Sequence, residues 1–192
     1  MAGRSQMRTV ELVNSSTRRG RRIRQALDKT APEGTAARVE IRVEHGHEAG
    51  PQVRLLINGK DLLGEDHSTG NHPRDLFETG ALLPTDPPRR VALYGCGCGT
   101  FGCSALTALI SRTGDQITWS DFYDFHAGEY DGPFHEDSTW PDPVHDPDAD
   151  EDLLPTQMDL PSVTFEADQY LEGVHDATRE WSQAYGRRSD WA

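Results

Sequence analysis

Residues 105–122 run Ala105-Leu106-Thr107-Ala108-Leu109-Ile110-Ser111-Arg112-Thr113-Gly114-Asp115-Gln116-Ile117-Thr118-Trp119-Ser120-Asp121-Phe122, and their reading decides the fold. Read as a helix, Leu106 and Leu109 share a face, Gly114 ends the helix, and 117–121 becomes a parallel strand closing a βαβ unit. Read as strands, 105–112 and 116–122 flank a Gly-Asp pair, and Gly followed by a polar residue suits a two-residue type II′ hairpin turn. With its Thr, Ser and Ile content, the stretch from Cys103 to Arg112 fits a strand with a Gly-Asp turn at least as well as a helix. The antiparallel hairpin is therefore expected. It places Trp119 and Asp121 on one face of the strand and Ser120 and Phe122 on the other.

Immediately upstream, residues 95–103 hold all three cysteines and four glycines, directly after the apolar run Val91-Ala92-Leu93-Tyr94. Gly97-Cys98-Gly99-Thr100-Phe101-Gly102 is a literal G-x-G-x-x-G, and Asp121 lies nineteen residues beyond Gly102, where a ribose-binding carboxylate belongs. Gly97, Gly99, Gly102 and Asp121 are thus the cofactor-binding residues of an alternative reading, an NAD(P)-dependent oxidoreductase. That reading needs a further helix and parallel strand, but residues 126–161 are mostly Asp, Pro, Gly and His and read as surface loop. The field also opposes an anionic cofactor. Residues 113–178 contain eighteen Asp/Glu and no Lys/Arg, and carry the whole excess of a chain with net charge −13.

The cysteines offer a second chemistry. Cys96, Cys98 and Cys103, spaced C-x-C-x₄-C, supply three soft ligands in one turn, and a structural zinc site needs a fourth. His126, just beyond the hairpin, is the expected completion; His135, His67 and His72 are the other histidines within range. The bland reading is small, easily buried side chains packed under a glycine-rich corner. A redox role is weaker because there is no C-x-x-C pair. Asp146-Pro147-Asp148-Ala149-Asp150 begins like a calcium loop, but Glu151 stands where Gly is required and Gln157 where Glu is required. No His is tied to Ser120 by any motif, so there is no triad, and no catalytic residue is assigned.

A chain of 192 residues can bury one core. No apolar run approaches the roughly 20 residues of a membrane span, and the odd cysteine count suits a reducing compartment, so a cytoplasmic location is expected. Residues 1–42 carry ten Arg/Lys against four Asp/Glu. The cluster Arg18, Arg19, Arg21, Arg22 and Arg24 is read as a solvated basic helical turn able to neutralise part of the acidic stretch. Nucleic acid is not an expected partner, because the acidic half would repel phosphates. Residues 1–37 form a basic extension, with a short strand at 9–13 and a helix over 17–29.

Residues 38–192 make the single domain. Val39, Ile41 and Val43 alternate with Arg38, Glu40 and Arg42, and residues 52–57 are β-rich and end in the turn pair Asn58-Gly59. Residues 64–88 read as an ordered loop with a helical turn at 73–78. Ala167, Tyr170, Leu171, Val174, Ala177, Trp181 and Ala184 recur at helical spacing after a short strand at 162–165, with Thr164 as the expected cap.

The series 56–62 (Leu-Ile-Asn-Gly-Lys-Asp-Leu), 90–94, 98–103 (Cys-Gly-Thr-Phe-Gly-Cys) and Trp119-Ser120-Asp121-Phe122 resembles a family of small uncharacterised bacterial proteins common in actinobacteria. Their shared pattern is an N-G-x-D-L turn, a C-G-x-x-G-C loop and a W-S-D-F strand. The resemblance covers about residues 50–180, including Phe165 to Tyr170 at the helix start, and brings no activity with it. The expectation is an α+β fold: an antiparallel, hairpin-built sheet of four to six strands with the C-terminal helix packed on one face. Its expected function is non-enzymatic binding of a protein or small molecule, with zinc or thiol chemistry at the Cys/Gly turn.

Overall fold

The computed structural model describes residue 24 and residues 36–46, 50–62, 69–95, 105–125 and 155–185. The expected strand at 9–13, most of the helix at 17–29, the Cys/Gly turn and most of the acidic loop lie outside the described residues.

The architecture is α+β, with antiparallel strands and one long C-terminal helix packed against them. Strands β1 (Val39–Gly46), β2 (Gly50–Ile57) and β3 (Lys60–Asp61) form a three-stranded sheet in that order. Asn58 and Gly59 both have positive φ, 50° and 76°, between the paired residues Ile57 and Lys60. This is the type I′ hairpin that an Asn-Gly pair specifies. Strands β4 (Thr69–Gly70), β5 (Arg89–Gly95), β6 (Ala105–Thr113), β7 (Gln116–Phe125) and β8 (Thr156–Gln157) make a second sheet in that order, and β9 (Val163–Glu166) also pairs with β7.

The decisive segment is a hairpin. Thr113 pairs with Gln116, Ile110 with Trp119, and of the two turn residues only Gly114 has positive φ, 61°, as the II′ geometry demands. Residues 105–113 therefore supply no helix N-terminus to hold a diphosphate, which is the element the dinucleotide reading requires at this point.

One expected sheet is thus two, stitched across β2. Antiparallel pairing leaves alternate residues of β2 facing away from β1, and there Val53 N–H donates to Asn71 O (2.9 Å) while the Tyr94 hydroxyl accepts from Leu55 N–H (2.7 Å) and donates to Leu55 O (3.0 Å). Asn71 Nδ2 reaches Ala92 O at 2.7 Å. Tyr94 is fully buried, and burial holds its hydroxyl far above the usual range, so it stays a protonated donor. Tyr94→Phe removes the hydroxyl that accepts from the buried Leu55 N–H. The expected loss is about 1–3 kcal/mol of unfolding free energy, read from the urea midpoint.

Helix α1 (Ala167–Tyr185) packs mainly against β1 and buries Ala167, Tyr170, Val174, Ala177 and Trp181 of the expected stripe, while Leu171 is half-buried and Ala184 is exposed in the last turn. Its cap differs from expectation. Glu166, not Thr164, accepts from Gln169 N–H through Oε2 at 2.9 Å. Thr164 is committed to β9, where its carbonyl accepts from Ala37 N–H at 2.7 Å. Pro73 to Glu78 is helical as expected, as a short π-type turn over Arg74–Glu78 that buries Leu76 and Phe77. The end of the expected acidic loop is not all loop: β8 pairs Gln157 with Tyr123, and Met158 N–H donates to Phe122 O. The two charge blocks meet at Arg24 and Asp159, whose side chains lie 2.5 Å apart. That pair is surface-exposed and contributes little to stability.

Candidate functional site

Four strand ends stand side by side at one end of the larger sheet. Thr69 of β4 pairs with Gly95 of β5, Gly95 with Ala105 of β6, and Ala105 with Phe125 of β7. Neighbouring strands lie about 4.8 Å apart, so the row spans roughly 15 Å. Residues 96–104 join Gly95 to Ala105, so they close an antiparallel pair of adjacent strands. By connectivity, Cys96 follows the β5 end by one residue, Cys103 precedes the β6 start by two, His126 follows the β7 end by one, and His67 precedes β4 by two.

Two register shifts lie just inside this end, one between Ala92 and Tyr94 on β5 and one between Thr107 and Leu109 against β7. Such bulges bend a strand and re-aim the side chains around it. In the second, Leu109 pairs with Ser120 and Thr107 with Tyr123, so β7 carries an extra residue, and Asp121 takes positive φ, 52°. The extra residue breaks the alternation. Trp119 and Phe122, expected on opposite faces, are both buried in the same core.

Asp121 is thereby turned toward Arg90. The Arg90 guanidinium pairs with Asp121 Oδ2, donates through Nη1 to Asp121 O at 2.5 Å, and lies 4.7 Å from the Tyr123 ring centroid. Gln157 Nε2 donates to Asp121 Oδ1 at 3.2 Å. The Arg90 side chain is 4% exposed against 35% for Asp121, so the ion pair has one dry and one wet partner. Asp121 was the expected ribose ligand of the dinucleotide reading. Its carboxylate is instead spent on locking the bulge, a use no motif announces: an acid at left-handed φ is tolerated but not demanded by sequence.

His72, one of the histidines within range of the cysteines, accepts from Arg74 N–H through Nδ1 at 3.2 Å and packs edge-on to Trp181 with centroids 5.7 Å apart. Burial lowers its affinity for a proton. Its ring is therefore engaged at the helical turn. Gly97, Gly99, Gly102, Cys96, Cys98, Cys103 and His126 lie outside the described residues. Among the described residues no three His, Cys, Asp or Glu side chains gather as metal ligands, and no helix is long and apolar enough to cross a membrane. Compared with known proteins, the chain matches no family model, no curated protein and no solved structure.

Proposed function

We propose that this is a non-enzymatic binding protein whose β5–β6 connection holds a zinc ion through Cys96, Cys98 and Cys103, with His126 as the fourth ligand. The observation that supports it is the in-register row Gly95, Ala105 and Phe125. It starts all four ligands from three adjacent strand ends, and a tetrahedral ion with Zn–S bonds of about 2.3 Å would tie those ends together. The chemistry is economical. A long glycine-rich connection between adjacent strands is otherwise a costly loop to order, and an ion bound only by the folded chain offsets that cost. Thiolate ligands must stay reduced, which fits a cytoplasmic location.

Native mass spectrometry of protein purified without chelator is expected to show one zinc per chain. Cys98→Ser is expected to lose most of it while retaining the far-ultraviolet spectrum of the sheet. Folded wild-type protein that is metal-free and takes up no added zinc would remove the proposal.

A further inference from the structure

The outer edge of β1 carries the inference. Arg38 exchanges backbone contact with the turn, since Asn58 N–H donates to Arg38 O at 2.8 Å, and the register places Glu40 opposite Leu56, Arg42 opposite Arg54 and Glu44 opposite Gln52. Antiparallel pairs alternate, so residues 40, 42 and 44 bond to β2 while Val39, Ile41, Val43 and His45 turn their N–H and C=O groups outward. The Val39 carbonyl confirms the direction, because it accepts from Gln169 Nε2 at 3.0 Å. No strand among the described residues pairs with this edge beyond that point; α1 meets β1 at the two ends of the stretch, through Gln169 at Val39 and Tyr185 at the His45 ring. Glu40, Arg42 and Glu44 are exposed, and Ile41 and Val43 are half-buried on the other face.

We infer that the edge is a self-association surface, on which β1 of a second copy pairs antiparallel about a two-fold axis through Val43. Three features choose that partner and that register. Centring on Arg42 would set Arg42 opposite Arg42 and Glu40 opposite Glu44 of the second copy, like charges in directly opposed positions, which excludes that register. Centring on Ile41 needs the Val39 carbonyl, which Gln169 occupies. Centring on Val43 pairs Ile41 with His45 of the second copy and sets Arg42 opposite Glu44 of the second copy, twice by symmetry. These are the closely spaced, non-hydrogen-bonded positions where opposite charges help most and like charges are penalised. The sequence Glu40-Ile41-Arg42-Val43-Glu44 is thus complementary to itself in one antiparallel register.

The test is sedimentation of the full chain over a concentration series. A dimer is expected. Arg42→Glu should raise its dissociation constant about tenfold, since two attractive pairs become repulsive. The double variant Arg42→Glu/Glu44→Arg should return it close to the wild-type value, because the pairs re-form with charges exchanged. Val43→Pro removes an outward N–H that no bond among the described residues uses, and should give a folded monomer. The inference is overturned by a wild-type monomer at every concentration, by a dimer indifferent to Arg42→Glu, or by a charge-exchanged variant as weak as the single one. It is equally overturned if cross-linking places residues 9–13 of the same chain along this edge.

Discussion

Gly70→Ala is expected to cost about 3–5 kcal/mol, enough to leave much of the protein unfolded under mild conditions. A Cβ at this position would stand 2.2 Å from the Val53 carbonyl oxygen and 3.1 Å from its carbon. Both are backbone atoms of β2, so no rotamer relieves the clash. The strand has to move, and moving it breaks the Val53 to Asn71 bond and the bond from Gly70 N–H to Gln52 Oε1. Those contacts are the seam between the two sheets. Gly173→Ala is the matched control: its Cβ would meet Val39 O at 3.8 Å and Val39 Cγ1 at 3.9 Å, both ordinary van der Waals contacts, and a helical Gly→Ala change should stabilise by up to about 1 kcal/mol. Opposite shifts of the two urea midpoints are the expected result. A Gly70→Ala protein as stable as wild type would mean the sheets do not meet there.

Trp119→Ala should cost a similar amount, about 3–5 kcal/mol. Trp119 is fully buried, with Phe165 at 5.1 Å and Tyr170 edge-on at 6.0 Å between centroids. It also begins a buried polar relay: its Nε1–H donates to Tyr170 Oη at 3.1 Å, and Tyr170 donates to Leu82 O at 2.8 Å. The residue therefore joins β7 to α1 and to the segment after the helical turn. Trp119→Phe keeps most of the packing and leaves the Tyr170 donor satisfied by Leu82, so it should cost only about 1 kcal/mol. Chemical denaturation of both variants separates the packing contribution from the relay. Equal small losses would place Trp119 outside the core.

The fold was legible where short-range chemistry leaves little choice. Asn58-Gly59 and Gly114-Asp115 announce their turns because the required φ is costly for most other residues, and the stripe from Ala167 to Trp181 announces a helix with one wet face. What was not legible depends on long-range partners. The division into two sheets follows from Gly70, Asn71 and Tyr94 meeting β2, contacts between residues up to 39 positions apart. The β7 bulge follows from Arg90 capturing Asp121, 31 positions away, and it places Trp119 and Phe122 in one core against the alternation. The helix cap moved from Thr164 to Glu166 because the β9 backbone claims Thr164 for pairing with Thr118. For the candidate site, sequence supplied the ligand types, while the strand register supplied the fact that their attachment points are neighbours.

Cobalt(II) titration of the reduced, metal-free chain tests most directly whether those neighbouring strand ends gather three thiolates around one ion. Saturation at one ion per chain is predicted, with thiolate-to-cobalt charge-transfer absorption and tetrahedral visible bands that Cys98→Ser weakens. A folded chain that takes up cobalt without thiolate absorption, or not at all, would contradict it.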